Sequence, residues 1–196
     1  MANQSELIAQ AREKVNADVL PALLGAFAGK VEQIPPSRDE IPQVFCKPEA
    51  IAGVAHFLDE QGFNMLVDVA GADYYPKRDP RFEVIYHFRQ LPGLGMIRVR
   101  VRCTEKDQVP TLSVRWPGAN AAEREVYDQF GIKFKGHPNL TRILNPDDWE
   151  GHPLRRDYPL RGPRALINLE MPADENRYHA FVDEEQPAPG QTKEGK

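Results

Sequence analysis

Apolar residues recur every three or four positions in three stretches near the N-terminus, which is the pattern of amphipathic helices. The apolar positions are Leu7, Ile8, Ala11 and Val15 in the first stretch, Leu20, Leu23, Leu24 and Phe27 in the second, and Ile51, Val54, Ala55 and Leu58 in the third. Ser5 suits the start of the first helix, and Gly62 suits the end of the third. Between the second and third helices, the proline-rich segment Ile34–Pro48 predicts a linker around a short strand at Val44–Cys46.

Three later stretches alternate apolar and polar residues with a period of two, as half-buried strands do. The apolar positions are Phe63, Met65, Val67 and Val69, then Phe82, Val84, Tyr86 and Phe88, then Ile97, Val99, Val101 and Cys103. Such alternation buries one face of a sheet and leaves the other in water, so helices are expected on a single side. The predicted fold is α+β: a small, mainly antiparallel sheet with helices on one face, followed by a long extended C-terminal arm.

A fourth helix is predicted from about Ala119 to Phe130, with Gly131 as its C-terminal cap. Its apolar positions are Ala122, Val126, Tyr127 and Phe130, and its charged positions are Glu123, Arg124, Glu125 and Asp128. Carboxylates on one helix could serve acid–base chemistry or a metal, but we interpret this set as a solvated charged face. Arg124 and Asp128 are four residues apart, a spacing at which an ion pair contributes about 0.2–0.5 kcal/mol.

Proline becomes frequent after this helix, since eight of the 18 prolines lie between Gly136 and Lys196, and no sustained period follows. A stretch this long without secondary structure is uncommon inside a compact domain, yet it carries apolar residues such as Leu144 and Trp149. An arm that buries them against another protein fits both facts. The predicted organisation is a helical segment at 1–33, an α+β domain at 34–135, a partner-binding arm at 136–182 and an acidic flexible tail at 183–196.

The formal charge of the chain is −4, and the segment from Ala165 to Lys196 accounts for all of it. The rest of the chain lacks the basic balance typical of nucleic-acid binders, so nucleic acid is not an expected partner. Cys46 and Cys103 are too few for an iron–sulfur cluster or a disulfide framework. The sequence also contains no nucleotide-binding glycine loop and no apolar stretch long enough to span a bilayer.

Gly-His-Pro occurs twice, at Gly136–Pro138 and at Gly151–Pro153. Two histidines fall short of the three protein ligands of a catalytic zinc site. We therefore predict sharp bends in which each imidazole hydrogen-bonds to the backbone, with a pH-sensitive contact at an interface as the alternative. Charged residues also share one face of two predicted strands, where a phosphate site is conceivable but a solvated, salt-bridged surface is favoured: Arg98, Arg100, Arg102, Glu83 and His87.

Two stretches are specific enough to indicate a family. Glu123–Leu140 reads EREVYDQFGIKFKGHPNL, and Ile143–Leu160 reads ILNPDDWEGHPLRRDYPL. Together with Phe63–Asp73, Arg81–His87 and Trp116–Asn120, they resemble the C subunit of the proton-pumping NADH–quinone oxidoreductase, respiratory complex I. The resemblance covers more than half of the chain, from about Phe63 to Leu160.

The resemblance implies a noncatalytic component of the peripheral arm that scaffolds the quinone-site subunits, while the whole complex passes electrons from NADH to quinone and translocates ions. It implies no catalytic, cofactor-binding or metal-binding residue in this chain, because flavin and iron–sulfur clusters belong to partner subunits. The implied partners are chiefly the D and B subunits. The implied location is the cytoplasmic face of the bacterial inner membrane, with membrane association only through the complex.

The predicted partner interface combines the fourth helix with the arm. The resemblance implies that the helix is fixed against the arm or a neighbour and that the second Gly-His-Pro stretch docks on the D subunit, while arginine beside aromatic residues is typical of interfaces. The predicted set is Glu123, Arg124, Glu125, Tyr127, Asp128, Gly136, His137, Arg142, Trp149, Gly151, His152, Pro153, Leu154, Arg155, Arg156, Asp157 and Tyr158. The alternatives are the equivalent subunit of a membrane-bound hydrogenase-type complex and a free-standing protein-binding module.

Overall fold

A computed structural model describes residues Asn3–Pro159 of the chain. Within that range the helices are α1 (Gln4–Lys14), α2 (Leu20–Ala26), α3 (Ile51–Glu60) and α4 (Ala119–Phe130). The strands are β1 (Val31–Ile34), β2 (Gln43–Cys46), β3 (Met65–Asp73), β4 (Phe82–Arg89), β5 (Met96–Cys103), β6 (Gln108–Pro110) and β7 (Lys133–Lys135). A π-helical turn joins α1 to α2, and a 3₁₀ turn precedes α3. The predicted tail and the predicted arm beyond Pro159 lie outside the described residues.

The main sheet has five strands in the order β1-β2-β5-β4-β3. All neighbouring pairs are antiparallel except β2 and β5, which are parallel. The buried face is apolar in register, since Val84 lies opposite Val101 and Tyr86 lies opposite Val99, and all four are fully buried. The mixed α+β class with a mainly antiparallel sheet is therefore confirmed.

Helices α3 and α4 contribute their apolar faces to the same core as the sheet. Helix α4 lies along β3, where Gly71 makes room for the ring of Phe130. A Cβ atom at Gly71 would stand 2.5 Å from that ring. Since β7 follows α4 directly and pairs with β6, the end of α4 lies at the point where the arm begins.

The regular alternation predicted for β3 is interrupted by a register shift between Leu66 and Asp68. Such a bulge turns the preceding residues toward the other face. Met65 is 39% exposed and Val67 is 46% exposed, so the prediction that both are buried with Val69 was wrong. Their exposure shows that the period of two holds only as long as the pairing register does.

The N-terminal segment contributes helices and a strand. Helix α1 has no buried residue, whereas Val15, Leu20 and Leu23 of the following turns are buried. Strand β1 pairs with β2 and was not predicted as a strand. None of the helices between Asn3 and Pro159 combines the length and the hydropathy that a bilayer crossing requires.

Candidate functional site

The carboxylate of Asp128 holds residues 142–145 of the arm against helix α4. One oxygen, Oδ2, accepts the backbone N–H groups of Ile143, Leu144 and Asn145 at 3.1, 2.9 and 2.8 Å. The other, Oδ1, accepts Nη1 of Arg142 at 2.6 Å and the side-chain amide of Asn145 at 3.0 Å. We call this arrangement the Asp128 clasp. Because three successive amides converge on one oxygen, it fixes the arm backbone as well as one side chain.

The prediction that Asp128 and Glu123 belong to a solvated face was wrong, because neither side chain has any exposed surface. Burial by itself would raise the pKa of Asp128, but hydrogen bonds from Asn145, Arg142 and Leu144 outweigh it and hold that pKa well below its usual range. The ionised form is therefore strongly preferred in the folded chain. Asp128 thus contacts the chain's own arm.

Arg124 and Asp128 do not form the predicted pair, because each binds a different part of the arm. Arg124 donates from Nε to the carbonyl of Thr141 at 3.1 Å and from Nη2 to the carbonyl of Arg142 at 2.8 Å. Arg142 in turn donates from Nη2 to the carbonyls of Trp149 and Gly151 at 2.9 and 3.0 Å. The two guanidinium groups thereby tie both ends of the 142–151 loop to α4.

The arm also caps the C-terminus of α4. The last carbonyls of a helix have no partner within the helix. Three of them accept donors from the arm: Asp128 from His152 Nδ1 at 2.9 Å, Gln129 from the Leu154 amide at 3.1 Å, and Phe130 from Arg155 Nε at 2.7 Å. Gly131, with φ of 77°, closes the helix by donating its N–H to Tyr127 at 2.8 Å. Arginine at this end also suits the helix dipole.

A second cluster, the Arg81 clasp, holds the far end of the described arm. Arg81 bonds both to Asp73 at the end of β3 and to Asp157, whose oxygens lie 2.8 and 2.9 Å away. Asp73 also accepts the backbone N–H of Arg156 at 2.9 Å. Burial would raise the pKa of Asp73, but the bonds from Arg81, Arg156 and Tyr75 lower it to about 2.

Both Gly-His-Pro motifs form bends with backbone-bonded imidazoles, as predicted. Gly136 and Gly151 have φ of 82° and 81°, a region that favours glycine. His137 bonds through Nε2 to the carbonyl of Asn120 at 3.2 Å and accepts the Asn139 amide at Nδ1. Its two ring nitrogens therefore connect the backbone of α4 to that of the residue after Pro138.

Glu123 is buried beside His137 and accepts hydrogen bonds from the loop after β6. Its carboxylate accepts the Leu112 amide at 2.8 Å and the Thr111 hydroxyl at 2.5 Å, while His137 Nε2 lies 3.9 Å away. Burial raises the pKa of Glu123 above its usual value, with the Thr111 and Leu112 bonds acting in the opposite direction. Glu123 therefore links α4 to the chain's own β6–α4 loop.

The remaining residues of the predicted interface differ in exposure. Tyr127 is half-buried with its ring 6.1 Å from that of His152, and Tyr158 donates its hydroxyl to the carbonyl of Glu150 at 2.9 Å. Pro153 is half-buried, whereas Glu125 and Arg156 are exposed. Contact of any member of the set with a partner stays a prediction.

The uncovered face of the sheet carries the predicted salt bridges around a carboxylate that is completely buried. Glu83 meets Arg78, Arg100 and Arg102 at 2.6, 2.5 and 3.6 Å and has no exposed side-chain surface. Arg98 donates from Nε to His87 Nε2 at 2.7 Å. Burial lowers the pKa of His87, and the nearby positive charge of Arg98 lowers it further. The face is therefore salt-bridged, although its central acid is not solvated.

Between Asn3 and Pro159, no three histidine, cysteine, aspartate or glutamate side chains are arranged to hold a metal ion. Cys46 and Cys103 are unpaired and buried, and burial raises the pKa of each to about 12. A thiol with so high a pKa is a poor nucleophile at neutral pH. The candidate site is therefore the pair of clasps that hold the arm.

Acid should destabilise the fold through the two clasp carboxylates. The pKa of Asp73 is about 2 and that of Asp128 is lower still, whereas the pKa of an unfolded aspartate is ~3.9. The unfolded chain therefore takes up these protons first, so the stabilisation is complete above about pH 4 and is lost as pH falls toward about 2. Urea unfolding between about pH 5 and 2.5 should show this fall, with roughly 2 kcal/mol from Asp73 alone.

The variant Asp128→Asn removes one of the two groups, so its stability should fall less steeply with acid than that of the wild type. Glu125→Gln changes an exposed carboxylate on the same helix and should keep the wild-type profile. Parallel profiles for Asp128→Asn and the wild type would show that Asp128 is not held ionised by the fold.

The fold and the site together define a class of protein: an α+β domain that holds a C-terminal arm on the end of one helix. Residues 44–164 match the family model described as the respiratory-chain NADH dehydrogenase 30 kDa subunit. The match covers more than half of the chain and includes α4 and both clasps. The chain therefore belongs to the respiratory-chain NADH dehydrogenase 30 kDa subunit family.

Individual relatives agree with this membership. The C subunit of the NADH-quinone oxidoreductase of Roseiflexus sp. (strain RS-1) is 46% identical over 160 residues, which are 80% of this chain and 91% of the relative. A solved trypsin-resistant fragment of Nqo5 superimposes with a TM-score of 0.51 at 37% identity and covers 62% of this chain and 96% of the fragment. A chain of an archaeal membrane-bound sulfane sulfur reductase shares the fold, with a TM-score of 0.62, 23% identity, and coverage of 74% and 86%.

Proposed function

We propose that this chain is the C subunit of a proton-pumping NADH–quinone oxidoreductase. It binds in the peripheral arm of the complex, chiefly to the D and B subunits, and scaffolds the subunits that form the quinone site. It has no catalytic activity of its own, and the flavin and iron–sulfur clusters belong to its partners. In a bacterium the complex would present this chain at the cytoplasmic face of the inner membrane.

The observation that carries the proposal is the similarity to the Roseiflexus C subunit, which spans nearly the whole relative. The site supports a scaffolding role, because its charged residues hold the arm against α4 in a defined path. A fixed surface binds a neighbour at a lower cost in conformational entropy than a mobile one. The fold shared with the sulfane sulfur reductase chain does not distinguish among membrane complexes, because it shows the fold alone.

Affinity purification from the chain's own membranes in mild detergent tests the proposal. An N-terminally tagged chain should recover flavin and iron–sulfur subunits, identified by mass spectrometry, and the eluate should reduce quinone with NADH. The chain purified alone should oxidise no NADH. A strain that expresses the untagged chain serves as the control and should recover neither subunits nor activity.

Two outcomes would contradict the proposal. Recovery of a nickel-containing large subunit without NADH oxidation would assign the chain to a hydrogenase-type complex. Recovery of the tagged chain without other subunits would favour a free-standing binding module.

A further inference from the structure

A groove of about 990 Å³ opens among the ends of four strands, with lining residues from β1, β2, β6 and β7. We call it the β2 groove, because β2 and the turn that follows it form its floor. Its volume is at the upper end of the range for small-molecule pockets, roughly 300–1,000 Å³. None of its described residues belongs to either clasp, so the β2 groove is separate from the site that holds the arm.

The walls of the β2 groove combine apolar surface with positive charge. Its larger apolar side chains include one phenylalanine and three prolines, namely Phe45, Pro48, Pro80 and Pro110. One arginine and three lysines supply the positive charge, namely Lys30, Lys47, Arg102 and Lys135. Such walls suit a ligand that joins an anionic group to a less polar body.

Three acids also line the β2 groove, and one of them is engaged by its own turn. Asp107 accepts the backbone N–H and the hydroxyl of Thr104 at Oδ2, at 2.7 and 2.9 Å. The other two acids are Glu32 and Glu49, both of which are exposed. The four cations therefore outnumber the acids that remain to balance them.

Arg102 is the cation of the groove whose position the fold fixes. Its guanidinium carbon lies 3.5 Å from the centre of the Phe45 ring, and its Nε lies 3.6 Å from Oε1 of Glu83. The Nε atom is buried, although 39% of the side chain is exposed. The terminal nitrogens are thus the part of the guanidinium left for a ligand. Because a ring and a carboxylate already hold the group, binding an anion costs little further ordering.

The carboxylate beside Arg102 does not neutralise it alone. Glu83 also meets Arg78 at 2.6 Å and Arg100 at 2.5 Å. Three guanidinium groups thus surround one carboxylate, which leaves an excess of two positive charges at the edge of the β2 groove. Such an excess attracts an anion, and it favours a doubly charged phosphate over a singly charged carboxylate.

We infer that the β2 groove binds a small organic phosphate. Its phosphate group accepts hydrogen bonds from the terminal nitrogens of Arg102, because the planar fork of a guanidinium matches two phosphate oxygens. Its body lies against the proline walls, since the groove is far larger than a phosphate ion. The inference does not depend on the proposed function, because this chain alone supplies the site.

Titration of the ¹⁵N-labelled full chain with adenosine 5′-monophosphate tests the inference by nuclear magnetic resonance. This probe joins a phosphate to a flat body. The amide resonances of Lys30, Phe45, Lys47 and Lys135 should shift together. Adenosine, which lacks the phosphate, should bind about tenfold more weakly or less, because a hydrogen-bonded charge contributes the larger part of the affinity. Sodium chloride at matched ionic strength separates binding from screening.

Two substitutions remove positive charge from the groove. Arg102→Gln should raise the Kd for adenosine 5′-monophosphate about tenfold or more, through the loss of charged hydrogen bonds. Lys135→Gln should raise it roughly threefold, as expected for an exposed charge. Lys133→Gln is the matched control, because Lys133 is an exposed residue of the same strand but does not line the groove. It should bind like the wild type, and this pair decides the matter even if Arg102→Gln fails to fold.

Three results would overturn the inference. The first is an equal Kd for the wild type and Lys135→Gln, or for the wild type and a folded Arg102→Gln. The second is a set of amide shifts confined to the arm, which would place the anion there. The third is inorganic phosphate that binds as tightly as adenosine 5′-monophosphate, which would remove any role for the groove walls. The affinity purification does not involve this groove, so the proposed function stands or fails separately.

Discussion

Replacing Asp128 by alanine should lower the free energy of unfolding by about 3–5 kcal/mol, the cost typical of breaking a buried charged pair. The substitution removes the acceptor of three backbone amides and leaves the Arg142 guanidinium, which is 16% exposed, without its carboxylate. Urea unfolding of the purified chain measures the loss. Trypsin cleavage after Arg142 should accelerate as well, because the loop would no longer be held on α4.

Two further variants identify which property of Asp128 matters. Asp128→Asn keeps the shape and one acceptor oxygen but loses the charge. Its free energy of unfolding should therefore lie between those of the wild type and Asp128→Ala. Glu125→Ala removes an exposed carboxylate from the same helix and should change stability by less than about 0.5 kcal/mol. If Asp128→Ala is no more costly than Glu125→Ala, the clasp does not stabilise the fold.

The local pattern of apolar residues was sufficient to predict helix α4. Its predicted bounds, from Ala119 to Phe130, and its cap at Gly131 are those observed. Strands β4 and β5 are also where the alternation placed them. In each case an uninterrupted period extends over at least eight residues, so local sequence alone defines the element.

The burial of the charged residues on α4 depends instead on contacts far along the chain. Glu123 is buried by residues near Leu112, and Asp128 by residues after Thr141. No helical period encodes where those loops pass. Composition alone therefore favours a solvated face, whereas the tertiary structure buries both acids.

Two signals in the sequence did indicate that these acids are unusual. Glu123 lies four residues after Ala119 and three before Val126, on the stripe that the structure buries. Asp128 occupies the last turn of α4, where the helix dipole disfavours a negative charge. An acid at such a position needs nearby donors, and the arginines and free amides of a following loop can supply them.

The short strands were missed for a different reason. Strands β1, β6 and β7 have four, three and three residues, which are too few to show a period. Their existence depends on pairing with partners, as β1 pairs with β2 and β6 pairs with β7. Sheet edges of this kind are determined by tertiary contacts and not by local sequence.

Replacing Gly131 by alanine should destabilise the chain by about 3–4 kcal/mol, through strain at the helix cap and displacement of the arm. Its φ of 77° is unfavourable for a residue with a side chain. A Cβ atom there would also lie 2.5 Å from Nη2 of Arg155 and 2.6 Å from the ring of His152. Both side chains would have to move, and each would lose its hydrogen bond to a carbonyl of α4.

Gly29 separates the two effects, because it has nearly the same φ, 75°, and nothing lies within 4 Å of the position that a Cβ atom would take there. Gly29→Ala should therefore show the strain alone, about 1–2 kcal/mol. The difference between the two variants in urea unfolding reports the contact with the arm, and faster trypsin cleavage after Arg155 should accompany Gly131→Ala only. Equal losses would mean that the arm does not pack on the cap of α4. A larger loss at Gly131 would show that the arm and the helix end stabilise each other, as the bonds from His152 and Arg155 require.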